Sequence, residues 1–167
     1  MRDLLAIAQI YHLKISKKKT ICSDILMDII HKLSALDTLK ISSFTLLQTR
    51  FLSIEDNNFR FISNKNNITI VYLEKMFSIE EIYFLIRFCP RITYLKVDFI
   101  NDMNIKLFVK DILKKINNDC NQILCSICIH SPTTDNEIIQ KLEEMINREK
   151  LLHNLTIKSI VDNIYLQ

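Results

Sequence analysis

HLKIS (residues 12–16) and TLKIS (residues 38–42) repeat nearly the same five residues 26 positions apart. In each stretch two apolar residues lie two positions apart and polar residues flank them, a pattern typical of a strand with one buried face. A third apolar residue stands three positions before each pair, which completes the LxxLxL spacing of a leucine-rich repeat. The two stretches therefore predict the same strand in successive units of an internal repeat.

We assign six units with the LxxLxL spacing along the chain, and their starts are separated by 26, 32, 24, 32 and 28 residues. Three of these intervals fall within the roughly 20–29 residues typical of leucine-rich repeats. Because one unit cannot cover its own apolar strand face, neighbouring units are expected to stack and to cover it together. The six triplets are Ile10, Leu13, Ile15; Leu36, Leu39, Ile41; Ile68, Val71, Leu73; Ile92, Leu95, Val97; Leu124, Ile127, Ile129; and Leu152, Leu155, Ile157.

Helical patterns separate most of these strands. Apolar residues at helical spacing predict helices over residues 21–33, 78–89 and 105–116, and a further helix that starts at Thr134. Residues 43–67 have no clean period, so we expect extended or irregular segments and an asparagine-rich loop there.

The helix that starts at Ser78 carries the signature of a capping box. Ser78 is followed three residues later by Glu81, so the serine side chain and the carboxylate are expected to bond backbone N–H groups of the first turn. Pro90 disfavours a helical conformation at Cys89, which is where this helix should end.

Strands and helices that alternate at a nearly constant period indicate parallel strands joined by right-handed crossovers. The strands alternate apolar and polar residues, as in residues 94–98, whereas a doubly wound sheet needs strands that are apolar on both faces. The sequence therefore predicts an α/β fold, an irregular leucine-rich-repeat-like solenoid of about six units, as a single domain over residues 1–167 with an irregular insert at 43–67. The parallel strands are expected on the concave face and the helices on the convex face.

The composition excludes several classes of function. The chain has 167 residues and no glycine, which excludes the P-loop and the dinucleotide-binding fingerprint. A net charge of +3 is far from the strongly basic balance of a dedicated nucleic-acid binder. Asparagine is expected to take many of the tight turns that glycine usually occupies. Five cysteines without a secretory signal indicate a reducing intracellular setting, in cytoplasm or nucleus.

SIEEIYFLIRFCPRITYLKVDF (residues 78–99) combines a helix, a Cys-Pro break and an L-x-V strand. With this unit and the stretches at 108–130 and 154–167, the chain resembles the leucine-rich-repeat region of F-box/leucine-rich-repeat proteins over residues 10–167. The resemblance implies a domain that holds the substrate of a ubiquitin ligase. No F-box helices precede the repeats, so a ubiquitin-ligase adaptor is an expected partner only if an F-box exists elsewhere. The asparagine or cysteine that follows each strand in the family is also missing.

The polar positions of the stacked strands predict an open sheet face that binds a protein partner. Lys14 and Lys40 should stand side by side there, which is mildly destabilising unless an acidic group meets them. Tyrosines are the expected anchors, because aromatic side chains dominate many interfaces. Alternatively, the lysines only keep an exposed sheet soluble. The predicted partner-binding residues are Lys14, Lys40, Tyr72, Tyr94, Lys96, Asp98, His130 and Lys158.

Cys125 and Cys128 have the spacing of a zinc-ligand pair, with Cys120 and His130 on either side. The segment is predicted to be a strand, however, in which residues three apart face opposite sides. We therefore predict no metal site and expect buried or half-buried thiols. The four histidines have no serine elbow or carboxylate pair at a recognisable spacing, so neither a catalytic residue nor a cofactor is predicted.

Two other functions stay open beside the preferred one, a non-enzymatic protein–protein interaction module without membrane contact. In a nucleic-acid-binding domain, lysines of the open face would contact phosphates while Tyr72 and Tyr94 stack on bases. Glu74 and Asp98 on the same face argue against this alternative. In the second alternative, the chain is a structural solenoid fragment without a function of its own.

Overall fold

The computed structural model describes residues 10–16, 21–46, 57–98, 104–118, 124–131, 136–151 and 156–167. In this part of the chain a mostly parallel seven-stranded sheet is combined with five helices, which makes the fold α/β. The strands are β1 (His12–Ile15), β2 (Ile21–Cys22), β3 (Thr38–Ile41), β4 (Phe44–Thr45), β5 (Ile70–Leu73), β6 (Tyr94–Asp98), β7 (Ser126–His130), β8 (Ile157–Ile160) and β9 (Asn163–Leu166). The helices are α1 (Ser23–Lys32), α2 (Asn57–Lys65), α3 (Ile79–Phe88), α4 (Ile105–Asn118) and α5 (Asn136–Glu149).

Five strands follow one another through the sheet in the order of the chain. β1, β3, β5, β6 and β7 are parallel neighbours, and the antiparallel strands β9 and β8 complete the sheet. β2 and β4 form a separate two-stranded parallel pair. The register aligns Lys14, Lys40, Tyr72, Lys96 and Cys128 side by side. This alignment confirms the one that the LxxLxL spacing predicted for the first five units.

One face of the sheet is buried under the helices, as the alternation of the strands predicted. In β5, Val71 and Leu73 are buried whereas Ile70 and Tyr72 are partly exposed, and β3 shows the same alternation. The buried strand residues join helix residues such as Leu85 in one hydrophobic cluster. Burying an aliphatic side chain of this size contributes about 1.5–3 kcal/mol. The shared apolar face is therefore what holds successive strand–helix units together.

A repeated backbone contact marks the entry of the chain into each strand. The carbonyl oxygens of Tyr11, Asp37, Thr69 and Thr93 each accept two N–H groups from the residues that lead into the next strand. All eight N···O distances lie between 2.8 and 3.1 Å. The intervals between the units differ by up to eight residues, 24 against 32, yet the chain enters the sheet in the same way each time. The structure thus repeats more regularly than the sequence.

Asparagines link neighbouring units near the carboxyl end of α2. The buried Asn66 side chain donates from Nδ2 to the Phe88 carbonyl at 2.5 Å, and its Oδ1 accepts the Ile68 N–H at 3.4 Å. Asn67 beside it is exposed and donates from Nδ2 to the Ser34 carbonyl at 3.0 Å. These bridges follow a helix, whereas the asparagine of the resembled family follows each strand.

The predicted sixth parallel strand is wrong. β9 runs antiparallel to β7, and β8 pairs antiparallel with β9 at the edge of the sheet. A strand alternates with a period of two in either direction, so the apolar pattern does not reveal that the chain reverses here. Alignment of the six LxxLxL triplets places Lys158 in one row with Asp98 and His130. In the structure Lys158 instead pairs with Tyr165 and so shares the row of Cys128.

The segment 43–67 also departs from the prediction. Its part 47–56 lies outside the described residues, but α2 forms where no helix was expected. The helix gives little signal in the sequence because its buried side chains are only Phe59 and the polar Ser63. Cys120, Thr134, Leu152 and Leu155, which entered the predictions above, also lie outside the described residues.

The start of α3 forms half of the predicted capping box. Glu81 Oε2 accepts the Phe77 N–H at 3.0 Å, whereas the Ser78 side chain makes no capping hydrogen bond. Glu81 is only 2% exposed, and this burial raises its pKa to about 7 although backbone hydrogen bonds oppose the shift. The carboxyl that caps the helix is therefore also a buried titratable group.

The residues with a left-handed backbone conformation are not asparagines, although asparagine was expected to take the tight turns. The non-glycine residues with positive φ in the described chain are Lys150 (φ 51°) and Val161 (φ 43°). Lys150 follows α5 where glycine is usual: its N–H bonds the Asn147 carbonyl at 3.4 Å, and the Leu151 N–H bonds the Ile146 carbonyl at 3.3 Å. For L-residues this conformation costs roughly 1–2 kcal/mol, so the lack of glycine lowers the stability of both turns.

Replacing Val161 by glycine is expected to raise the free energy of unfolding by about 0.5–1 kcal/mol, because glycine adopts positive φ without strain. Val161 is 81% exposed, so little packing is lost. Chemical denaturation of wild type and variant measures the difference. Ser159→Gly, an exposed change within β8 at an ordinary backbone conformation, is the control and should destabilise slightly. A Val161→Gly variant less stable than wild type would contradict the expectation.

Candidate functional site

We call the side of the seven-stranded sheet opposite the helices the open face, and the line of side chains across the middle of its strands the central row. The central row consists of Lys14, Lys40, Tyr72, Lys96, Cys128, Tyr165 and Lys158. Tyr94 lies before this row, and Asp98 and His130 lie side by side after it. The structure therefore brings the eight sequence-predicted residues onto one face, with Lys158 moved to the edge strand.

Tyrosines cluster in the middle of the open face. The rings of Tyr72 and Tyr94 contact each other, with centroids 5.8 Å apart and planes at 57°. Such aromatic pairs contribute about 0.5–1.5 kcal/mol beyond the area they bury. Burial, followed by hydrogen bonding to Cys128, raises the pKa of Tyr94, and hydrogen bonding to Cys128 raises that of Tyr165. The phenol groups of Tyr94 and Tyr165 are therefore neutral at physiological pH, and the three tyrosines offer apolar rings with polar tips.

Tyr165 is the member of this cluster that the sequence reasoning missed. The segment NIYL (residues 163–166) alternates buried and partly exposed positions like the parallel strands. That alternation was one signal, and Val161, Ile164 and Leu166 also have the LxxLxL spacing, but this triplet starts only nine residues after Leu152, too soon for a further repeat unit. Only the reversal of the chain in the β8–β9 hairpin brings the tyrosine beside Cys128.

Cys128 lies buried between the tyrosines and donates its thiol to Asn163 Oδ1 at 3.8 Å. Cys125, in contrast, is exposed. The two cysteines thus have different surroundings, as the strand geometry predicted, although the spacing resembles that of a zinc-ligand pair. Among the residues that the structure describes, no three His, Cys, Asp or Glu side chains are placed to hold a metal ion.

A carboxylate meets the two adjacent lysines of β1 and β3. Lys40 Nζ lies 3.0 Å from Glu74 Oε1, and Ser42 Oγ donates to Glu74 Oε2 at 2.7 Å. The hydrogen bonds from Ser42 and Lys40 lower the pKa of Glu74, and the charge of Lys14 adds to the effect. Both oxygens of this carboxylate are occupied, so Lys40 and Glu74 neutralise each other within the chain.

The open face carries a depression of about 140 Å³ between two lysines of the central row. Its lining residues are Lys40, Tyr72, Leu73, Glu74, Lys96 and Asp98. Lys40 and Glu74 form an ion pair, whereas Lys96 and Asp98 have none within the described part of the chain. The depression has room for a single side chain and presents a tyrosine ring beside an unpaired ammonium group.

His12 and His31 each contact one side chain of another residue. His12 Nδ1 lies 3.3 Å from Asp37 Oδ1, and the His31 ring packs against Phe61 with centroids 5.9 Å apart. Neither contact pairs a histidine with a nucleophile. His153 lies outside the described residues.

Comparison of the chain with protein-family models, with curated protein sequences and with solved structures finds no match. Within the residues described, none of the helices is long and apolar enough to cross a membrane.

Proposed function

We propose that the chain is a leucine-rich-repeat-like solenoid whose open face binds another protein. One observation carries the proposal: Tyr72, Tyr94 and Tyr165 occupy the middle of a face that is otherwise mainly charged or small and polar. Aromatic side chains at the centre of a patch with a polar rim are the usual composition of a protein-binding hot spot. The proposed activity is therefore recognition and not catalysis.

The size of the open face supports this function. Seven strands about 4.8 Å apart span about 30 Å, enough for an extended segment or a small domain to lie across them. Repeat proteins commonly bind partners on such extended strand faces. By the resemblance to F-box/leucine-rich-repeat proteins, we further propose that the bound protein is the substrate of an intracellular ubiquitin ligase.

Affinity capture from cell extract tests the proposal, with wild type compared against the double variant Tyr72→Ala/Lys96→Glu. Both residues line the depression and neither forms an ion pair in the described chain. We expect a specific protein partner whose recovery falls at least about tenfold with the variant, which corresponds to about 1.4 kcal/mol. Quantitative mass spectrometry of the captured proteins gives the ratio.

The matched control is Leu107→Ala/Lys106→Glu on α4, which makes the same kind of change on the helical side of the molecule. Both residues are exposed, Leu107 at 57%. Circular dichroism must show all three proteins equally folded. Equal capture by wild type, variant and control would contradict a binding role for the open face. Capture of nucleic acid that falls steeply with salt and is lost in the variant would favour the nucleic-acid alternative.

A further inference from the structure

The charges of the central row are unbalanced once the contacts within the chain are taken into account. Lys40 is neutralised by Glu74. Lys14, Lys96 and Lys158 have no ion-pair partner within 4.0 Å among the described residues. On the same face, the carboxylate that is left without a partner in the described strands is that of Asp98. Among the described residues, the open face therefore offers three unpaired ammonium groups against one unpaired carboxylate.

Tyrosines lie next to two of these three unpaired charges. Tyr72 is the direct neighbour of Lys96 in the central row, and Tyr165 is the direct neighbour of Lys158. An ammonium group beside an aromatic ring binds a carboxylate with less competition from water than one on an open surface, because the ring excludes solvent from one side. The cations of the row are thus placed where a partner's apolar and acidic side chains would arrive together.

We infer that the open face binds an acidic protein segment that crosses the strands along the central row, with a carboxylate at Lys96 and an apolar or aromatic side chain on Tyr72. This inference rests on the proposed function and specifies the chemistry of the partner. A basic segment fits less well, because it would bring further positive charge to a row that already carries an excess.

Asp98 fixes the position of the bound segment along the strands. It lies two residues beyond Lys96 on the same face, about 6.6 Å along the strand, and it lines the same depression as Lys96. Its carboxylate repels an acidic segment that is displaced from the central row. Lys96 attracts the acidic segment and Asp98 repels it. Removing the one charge or the other should therefore change the binding affinity in opposite directions.

Fluorescence anisotropy with labelled twelve-residue peptides of alternating Glu-Tyr and Lys-Tyr tests the inference on the full chain. The Glu-Tyr peptide should bind, and its binding should weaken as NaCl rises from about 50 to about 300 mM. Lys96→Gln should weaken the binding about three- to fivefold, as expected for a partly exposed ion pair. Asp98→Asn should tighten it about twofold. The control Lys106→Gln removes one positive charge on α4 and should change the binding less than twofold.

Binding of the Lys-Tyr peptide as tight as that of the Glu-Tyr peptide would overturn the inference, as would unchanged binding in Lys96→Gln. Tighter binding of a labelled twelve-nucleotide oligothymidylate, lost in the same variant, would overturn it in favour of nucleic acid. This test separates the inference from the proposed function. If protein capture depends on Tyr72 and Lys96 but the Glu-Tyr peptide does not bind, only the acidic nature of the partner is refuted.

Discussion

Replacing Asn66 by alanine is expected to lower the free energy of unfolding by about 2–4 kcal/mol. The change removes the side chain that donates to the Phe88 carbonyl and accepts the Ile68 N–H. Asn66 is 3% exposed, so water does not readily replace these bonds, and each buried backbone group left without a partner costs about 1–3 kcal/mol. Urea denaturation followed by circular dichroism measures the loss.

The neighbouring Asn67→Ala variant is the matched control. Asn67 makes the same kind of bond, to the Ser34 carbonyl, and also accepts a hydrogen bond from Arg91, but on the exposed surface. Water can replace both contacts, so the expected loss is below about 1 kcal/mol. Equal effects of the two substitutions would show that burial is not what makes the Asn66 bridge strong.

Glu81→Gln is expected to remove a pH dependence of stability and to stabilise the protein above neutral pH. The pKa of Glu81 is raised from 4.5 to about 7 in the folded state, chiefly by burial. Between these values the folded state binds more protons than the unfolded state, so stability falls as the pH rises through this window. The Glu81 contribution should decline by about 2–3 kcal/mol between pH 5 and pH 8.

The measurement is the difference in unfolding free energy between wild type and Glu81→Gln at several pH values. Glutamine keeps an oxygen that can accept the Phe77 N–H, so the cap is retained while the charge is lost. Other carboxyl groups shift in the opposite direction, as Glu74 does, but they are common to both proteins and cancel in the difference. In the control Glu144→Gln, which removes an exposed carboxyl on α5, Glu81 is intact and the decline in stability between pH 5 and pH 8 should persist. A flat difference for Glu81→Gln would show that this carboxyl is not perturbed.

The central strands were predictable because burial of one face leaves a direct trace in the sequence. Leu39 and Ile41 alternate with partly exposed residues in β3, and Leu95 and Val97 do so in β6. Matching the triplets along the chain then gave the register, and with it the neighbours on the open face. The ion pair of Lys40 with Glu74 was not predicted, although an acidic group near the paired lysines was identified as the condition for their stability.

The remaining features depend on contacts that no local pattern records. α2 is anchored by Phe59, whose ring lies 5.9 Å from that of Phe84 and 5.5 Å from that of Phe88. Beside Phe59, the partly buried Ile62 packs against the core, and two such positions are too few to mark a helical stripe in a polar segment. The β8–β9 hairpin turns at Val161 and Asp162, without the Asn-Gly or Asp-Gly pair that usually marks a two-residue hairpin in the sequence. Packing against the rest of the chain, and not a local sequence pattern, therefore determines the conformation of both elements.

The order of the parallel strands determines how the protein responds to mechanical force. Strands adjacent in the sheet are joined by one connection each from β1 to β7, so tension between β1 and β7 acts across the strands and loads their hydrogen bonds one pair at a time. Units should then peel away singly from the β1 edge. With spacings of 24 to 32 residues and about 3.4 Å per extended residue, each step would lengthen the chain by about 80–110 Å. Pulled in this direction, the molecule behaves as a series of weak, separate extensible elements instead of one rigid block.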